Sequence, residues 1–199
     1  MAAPDGQFRL IPQDTPVASV DTVAERVAAI ASQSVITTGA GNEVDWGTVD
    51  ITGGAANSTV KTMLWNVTNN QSNTTVETFK LWIPAASIGF TEVASVVKVQ
   101  PLRGNDEAPG TPWSNTEQYI VDAVVGDYTW ATMDESEPIA QNVWASDEGT
   151  SIDISTVGTS DDAIMWALYL AIAASEVTGT YKGTDSGKEL QFSHKFSYS

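Results

Sequence analysis

The 199-residue chain has no cysteine and a single histidine, His194. Disulfide frameworks, thiolate zinc sites and cysteine nucleophiles are excluded together, and one imidazole cannot build a multi-histidine metal cluster. Basic residues are scarce. Nine Lys and Arg stand against 25 Asp and Glu, for a net charge of −16, and none lies between Arg103 and Lys182. A surface of that sign repels phosphate backbones, so nucleic-acid binding is not expected; it favours solubility, salt tolerance, or association with a basic partner or divalent cations. The longest apolar run, Ala163 to Ala174, falls short of the roughly 20 residues a membrane helix needs, so no membrane association is expected. The first residues lack a basic stretch followed by an apolar run, the pattern of a secretory signal, and the chain is expected to stay in the compartment where it is made.

Short segments rich in Val, Ile, Thr, Trp and Tyr, separated by Gly, Asn, Asp, Ser and Pro clusters, fill the chain from Val35 onward. That texture predicts one antiparallel all-β domain over residues 35–199. The expected strands are Glu43 to Thr52, Thr59 to Thr68, Val76 to Ile83, Val93 to Gln100, Gln118 to Val125, Tyr128 to Met133, Ser151 to Ser155, Ile164 to Ala173, Gly179 to Lys182 and Glu189 to Tyr198. Residues 1–19 hold Pro4, Pro12 and Pro16 and read as an extended arm outside the core. In residues 20–34, Val20, Val23, Val27 and Ile30 recur at helical spacing behind Asp21, predicting one short helix over Thr22 to Ser32.

Parity sharpens three of these strands. In "AIMWALYLAIA" the large side chains Ile164, Trp166, Leu168, Leu170 and Ile172 alternate with a mostly Ala parity, as in a central strand with both faces covered. The Ala face is expected beneath the N-terminal helix or a neighbouring subunit. In the last strand Leu190, Phe192, His194, Phe196 and Tyr198 share one face. The stretch "KTMLWNVTNNQSNTTVETFKLWI", Lys61 to Ile83, reads as a hairpin with Trp65 on a core face, Trp82 on the opposite one, and a solvent-facing amide-rich turn.

Signatures of catalysis are not found. No G-x-S-x-G elbow occurs, and "TTGAGNE" and "DITGGAAN" match neither phosphate-loop nor dinucleotide fingerprints, so no nucleotide cofactor is expected. His194, on the apolar parity of the last strand, reads as a packed or interface histidine before it reads as a general base. The acidic groups Asp134, Glu135 and Glu137, Asp147 and Glu148, and Asp161 and Asp162 fall in predicted loops, where solvation is the default; a loop Ca²⁺ site there lacks the regular EF-hand spacing. In "MDESEPIAQNVW" Pro138 can open a short helix that tucks Ile139, Val143 and Trp144 onto the sheet. Of seven tryptophans, most must be core or interface. Trp113 and Trp144, in the two long connections, are the candidates for exposed tips or a sugar-stacking platform. Four N-x-S/T sequons begin at Asn57, Asn66, Asn70 and Asn73 and read as chance products of an Asn-, Ser- and Thr-rich chain.

The tail "WALYLAIAASEVTGTYKGTDSGKELQFSHKFSYS" resembles the closing strands of Ig-like or jelly-roll β-sandwiches, in which a long apolar strand, a tight turn and an alternating last strand complete a sheet. Together with the Pro-marked arm, the chain resembles virion proteins of tailed bacteriophages, particularly capsid decoration (cement) and tail accessory proteins. The resemblance implies a non-enzymatic protein of the virion, assembled in the host cytoplasm. It implies a homo-oligomer, often a trimer, seated on the major capsid protein or other virion proteins through interfaces of about 800 Å² per partner. Partner contacts are then expected at Phe8, Leu10 and Ile11, with Arg9 as charged neighbour, and at Trp82. The alternative is a carbohydrate-binding β-sandwich for host recognition, marked by exposed aromatic pairs.

Overall fold

The computed structural model describes residues 2–11, 34–36, 44–85, 89–102, 130–142, 151–155, 164–179 and 190–199. The predicted helix, the predicted strands at Gln118 to Val125 and at 180–182, Trp113 and Trp144 lie outside the described residues. The described elements are all strands: β1 (Asp5–Ile11), β2 (Ser34–Val35), β3 (Ala56–Asn57), β4 (Lys61–Asn69), β5 (Thr75–Trp82), β6 (Val96–Leu102), β7 (Ala131–Thr132), β8 (Ser151–Asp153), β9 (Ile164–Ile172) and β10 (Ser193–Tyr198). Every pairing among them is antiparallel. They form one sheet ordered β2-β1-β4-β9-β6-β7, with β3 also on β9, and a second ordered β10-β5-β8. Over its described residues the protein is therefore all-β and antiparallel, as the texture of the sequence predicts.

β9 is the centre of the larger sheet, flanked by β4 and β6. Its large parity, Ile164, Trp166, Leu168, Leu170 and Ile172, joins Met63 and Trp65 of β4, Val97 and Val99 of β6, and Val76, Phe79 and Leu81 of β5 in one core shared by both sheets. On its other parity Ala167 and Tyr169 are also buried, as is Leu64 on β4, so the middle of this sheet is covered on both sides. That is why β9 carries a nearly continuous apolar run and not a clean polar/apolar alternation.

The arm reading is corrected for residues 5–11. β1 is inserted between β2 and β4, in register Gln7↔Asn66, Phe8↔Trp65, Arg9↔Leu64, Leu10↔Met63 and Ile11↔Thr62. Phe8 and Leu10 pack against the core. Pro4 stands just before the strand, a position at which a missing N–H costs the ladder nothing. Gly6 is what allows the close approach: a Cβ there would lie 2.3 Å from the Trp65 ring.

The hairpin is likewise corrected. β4 pairs with β1 and β9, whereas β5 pairs with β10 and β8, so residues 70–74 form an arch that carries the chain from one sheet to the other. The amides build it. Asn69 and Asn70 accept the N–H groups of Gln71 and Ser72 on their side-chain oxygens, at 3.1 Å each, while Gln71 and Ser72 adopt positive φ. Asn70 Nδ2 reaches the carbonyls of Ile154 and Ser155, and Asn73 Nδ2 those of Asn70 and Ala2. Thr74 and Thr75 donate their N–H groups to Ser199 O. The turn read as solvent-facing is thus a hub in which Asn73 is buried, 1% exposed, and its sequon has no room for a glycan.

In β5 a bulge places Thr78 and Phe79 opposite the single residue Phe196 of β10, and Thr78 takes a φ of 52°. The extra residue lets Val76 face the core with Phe79, Leu81 and Ile83, although their spacing breaks alternation. The expected strand at Glu43 to Thr52 is not a strand over its described residues, 44–52. Asp45 Oδ1 accepts Gly47 N–H, and Asp50 Oδ1 accepts both the N–H and the Oγ1–H of Thr52, so side chains take donors that a ladder would need. Val44, Trp46, Val49 and Ile51 still pack against the core.

Candidate functional site

The residues expected to meet a partner fall in three different settings. Phe8 and Leu10 are half-buried on the core side of β1, which turns their apolar surface toward this chain's own interior. Arg9 lies on the opposite side, its Nε donating to Asn66 Oδ1 at 3.1 Å, and Ile11 ends the strand opposite Thr62. Trp82 is half-buried on the outer face of the smaller sheet, across from Ser193, on the face expected of it. No two of these settings converge on one surface.

The connection after β7 also differs from expectation. Residues 134–142 contain no helix, and Ile139 is fully exposed instead of tucked in. The segment is held as an extended cover over the edge of β5, where β8 stops short. Ile83 and Ala85 donate to the carbonyls of Asp134 and Glu135. Asn142 stands in for a strand, its Oδ1 accepting Leu81 N–H at 2.9 Å and its Nδ2 donating to Leu81 O at 2.6 Å and to Asp134 Oδ2. Glu137 sits between Lys80 and Lys195, at 3.4 and 2.9 Å, which lie directly opposite each other on β5 and β10. The Lys195 hydrogen bond holds the Glu137 carboxyl below its usual value. Asp134 and Glu137 are thus engaged by this chain's own donors, and among the described residues no group of three or more His, Asp or Glu side chains is poised to hold a metal ion.

The feature that sequence reasoning missed lies at the far end of β9. The turn at residues 89–95 and the turn at residues 173–179 are tied by Glu176, which is 7% exposed. Its Oε1 accepts the N–H groups of Thr91 and Val177, at 2.8 and 3.2 Å, and its Oε2 that of Glu92 at 3.1 Å. Ser95 Oγ accepts Ala173 N–H at 3.0 Å and hydrogen-bonds the same carboxylate. Burial by itself pushes the Glu176 carboxyl up, but these donors together bring it below the usual value. On this braced support stand Val93, 97% exposed, and Val177, 55% exposed. Val93 was expected to open a strand; β6 begins only at Val96.

Comparison of the chain with protein-family models, with curated proteins and with solved structures gives no match.

The brace makes a direct prediction. A carboxyl with a depressed pKa in the folded state adds stability that is present above the unfolded value, about 4.3 for Glu, and lost as pH falls through the folded value. Acid is therefore expected to loosen residues 89–95 and 173–179. Glu176→Ala, which removes the acceptor for three backbone N–H groups, should cost about 1–3 kcal/mol and abolish that acid-linked step. Denaturant titration of both chains from neutral pH to pH 3 checks it.

Proposed function

We propose that the protein is a non-enzymatic structural protein of a tailed-bacteriophage virion, acting as a capsid decoration or cement protein. Its two sheets are read as a β-sandwich of the jelly-roll or Ig-like kind, and its working form as a homo-oligomer, a trimer being favoured, seated on the major capsid protein. The observation that carries this reading is the braced pair Val93 and Val177. Exposed apolar side chains on turns locked by a buried carboxylate form a docking tip that does not have to be ordered on binding, which reduces the entropy cost of association. Many weak copies of such a contact, repeated over a lattice, hold by avidity. The acidic charge of −16 keeps free subunits apart in solution before they seat.

Mass-spectrometric copy number in particles purified from the source is the test. A count near that of the capsid protein supports decoration, a handful of copies places the protein in the tail, and absence from particles rejects the virion reading. Within a decorating system, Val93→Asp with Val177→Asp is expected to leave the melting temperature within a few degrees of the parent, because both side chains face solvent. The same pair of changes should lower particle occupancy at least tenfold, read by co-sedimentation.

A further inference from the structure

β10 is the end strand of the smaller sheet, and among the described residues β5 is its one neighbour. Thr75 and Ser199 exchange both of their backbone hydrogen bonds, at 3.0 and 3.2 Å. Strand alternation then turns the backbone groups of Ser197 toward β5 and those of Tyr198 away from it. At the other end of the strand His194 lies opposite Leu81, whose N–H and C=O are both taken by Asn142 on the opposite side of β5. His194 therefore also turns its backbone groups outward. Phe196 falls between the two on the same parity, opposite the β5 bulge. The N–H and C=O groups of His194, Phe196 and Tyr198 thus line one open edge, the kind of row that pairs with a further strand.

The side chains of these three residues are on the inward parity, yet His194 and Tyr198 are exposed and Phe196 is half-buried. His194 meets Phe8 of β1 edge-on at 5.0 Å, and Phe196 meets Trp65 of β4 at 5.0 Å, so β10 stands over β1 and β4. The larger sheet continues past it to β2, and among the described residues no strand of the smaller sheet stands above that ledge. Phe8, Leu10 and Ile36, on the inner side of the ledge, are each half-buried against the core. Stacked sheets lie about 10 Å apart and neighbouring strands about 4.8 Å apart. One strand laid beside β10 would therefore come to rest above β1 and β2.

We propose that the edge of β10 takes up an extended segment of another polypeptide, which joins the smaller sheet as an added strand and closes the sandwich over β1 and β2. Main-chain bonds to His194, Phe196 and Tyr198 hold it, and the side chains beside it set its sequence. Residues opposite His194, Phe196 and Tyr198 point inward and must be apolar to pack on Phe8, Leu10 and Ile36. Residues opposite Lys195 and Ser197 point to the outer face, where Lys195 and Lys80 stand in one row. Lys195 keeps 61% of its side chain exposed while bonded to Glu137, so it has surface to offer a second carboxylate, and the residue opposite it is acidic. A second copy of β10 does not fit. An antiparallel pair of strands shares a two-fold axis at right angles to the sheet, which would drive β1 of one copy into β1 of the other. The edge is separate from the Val93 and Val177 tip, and the inference does not rest on the virion reading.

The probe is the peptide acetyl-Val-Thr-Val-Glu-Val amide, which in antiparallel register sets its Glu opposite Lys195 and its Thr opposite Ser197. Titrated into the full-length chain and followed by amide NMR shifts, it is expected to give saturable changes confined to β10, β1 and residues 34–36, with a Kd of about 1 mM or tighter. The same peptide with Lys in place of Glu should bind about threefold more weakly or worse, against the pull of the chain's net charge of −16. Lys195→Ala should remove that preference. His194→Pro and Tyr198→Pro each delete an outward N–H and leave the bonds to β5 in place, and each should weaken the Glu peptide about tenfold. No saturable binding by the unmodified chain, shifts that fall elsewhere, or equal binding of the two peptides overturns the proposal. A folded proline variant that binds as the parent does overturns it as well. So does sedimentation showing parent dimers that either proline variant abolishes, which would give the edge to a second copy.

Discussion

A chain lacking residues 1–11 is expected to show no cooperative thermal transition by circular dichroism or calorimetry. β1 supplies the whole partner ladder on one side of β4, from Asn69 to Thr62, and its loss would leave backbone donors and acceptors of β4 without partners. It would also uncover Met63 and Trp65, now 2% and 1% exposed, and remove Phe8 and Leu10 from the core margin. Each large apolar side chain fully returned to water forfeits roughly 1.5–3 kcal/mol, and a half-buried one less, so the four together, with the lost ladder, are comparable with the roughly 5–15 kcal/mol by which domains are stable. A free arm would behave otherwise, its removal leaving the transition unchanged. The same reasoning redirects any search for a docking segment near the N-terminus: truncation there abolishes the fold before it can report on a partner. A milder probe is Gly6→Ala, whose Cβ must displace the buried Trp65 ring and which should lower the transition without abolishing it.

Trp166→Ala is expected to cost about 3–5 kcal/mol in denaturant unfolding, the range for removing a buried Trp, with a midpoint shift and little change in slope. Trp166 has no exposed surface and lies where the sheets meet, edge-on to Phe8 at 5.9 Å and stacked with Phe79 at 6.3 Å. Its cavity would open at the middle of β9, the strand least able to collapse because β4 and β6 hold it on both sides. Trp166→Phe should lose much less. The indole N–H is buried and without a hydrogen-bond partner, so the ring swap also removes a donor whose orphaned burial costs about 1–3 kcal/mol. Trp82→Ala is the comparison. Half-buried on an outer face, it should cost roughly half as much or less, in proportion to the area lost.

How far these features can be read from residues alone depends on the distance over which their cause acts. The large/small alternation of β9 is local, and it announces a central strand covered on both faces. The inward set Phe79, Leu81 and Ile83 is equally local. Whether residues 70–74 make a hairpin or an arch is not, because Asn, Ser and Thr serve both turns equally well. The choice is made by β8 and β10, which take the two edges of β5. β1 escaped notice because seven residues between prolines offer little period to detect, and its place beside β4 depends on a glycine beneath a Trp ring 59 positions away in the chain. The Asp45 and Asp50 turns imitate a strand in apolar spacing while using the backbone differently. The tip proposed for docking was beyond reach altogether: the turns that carry Val93 and Val177 are tied by a carboxylate bonded to N–H groups 84 and 85 positions distant.

The arch at residues 70–74 has a further consequence, for construction rather than stability. Through Asn73 it grips the carbonyl of residue 2, and through Thr74 and Thr75 that of residue 199. Both ends of the described chain therefore leave from one pole of the molecule, beyond the Ile164 end of β9, while Val93 and Val177 sit beyond its Ile172 end. A tag, a second domain or a reporter joined at either end would project away from that tip, and a short linker could join the two ends and let the chain be opened elsewhere without disturbing either sheet.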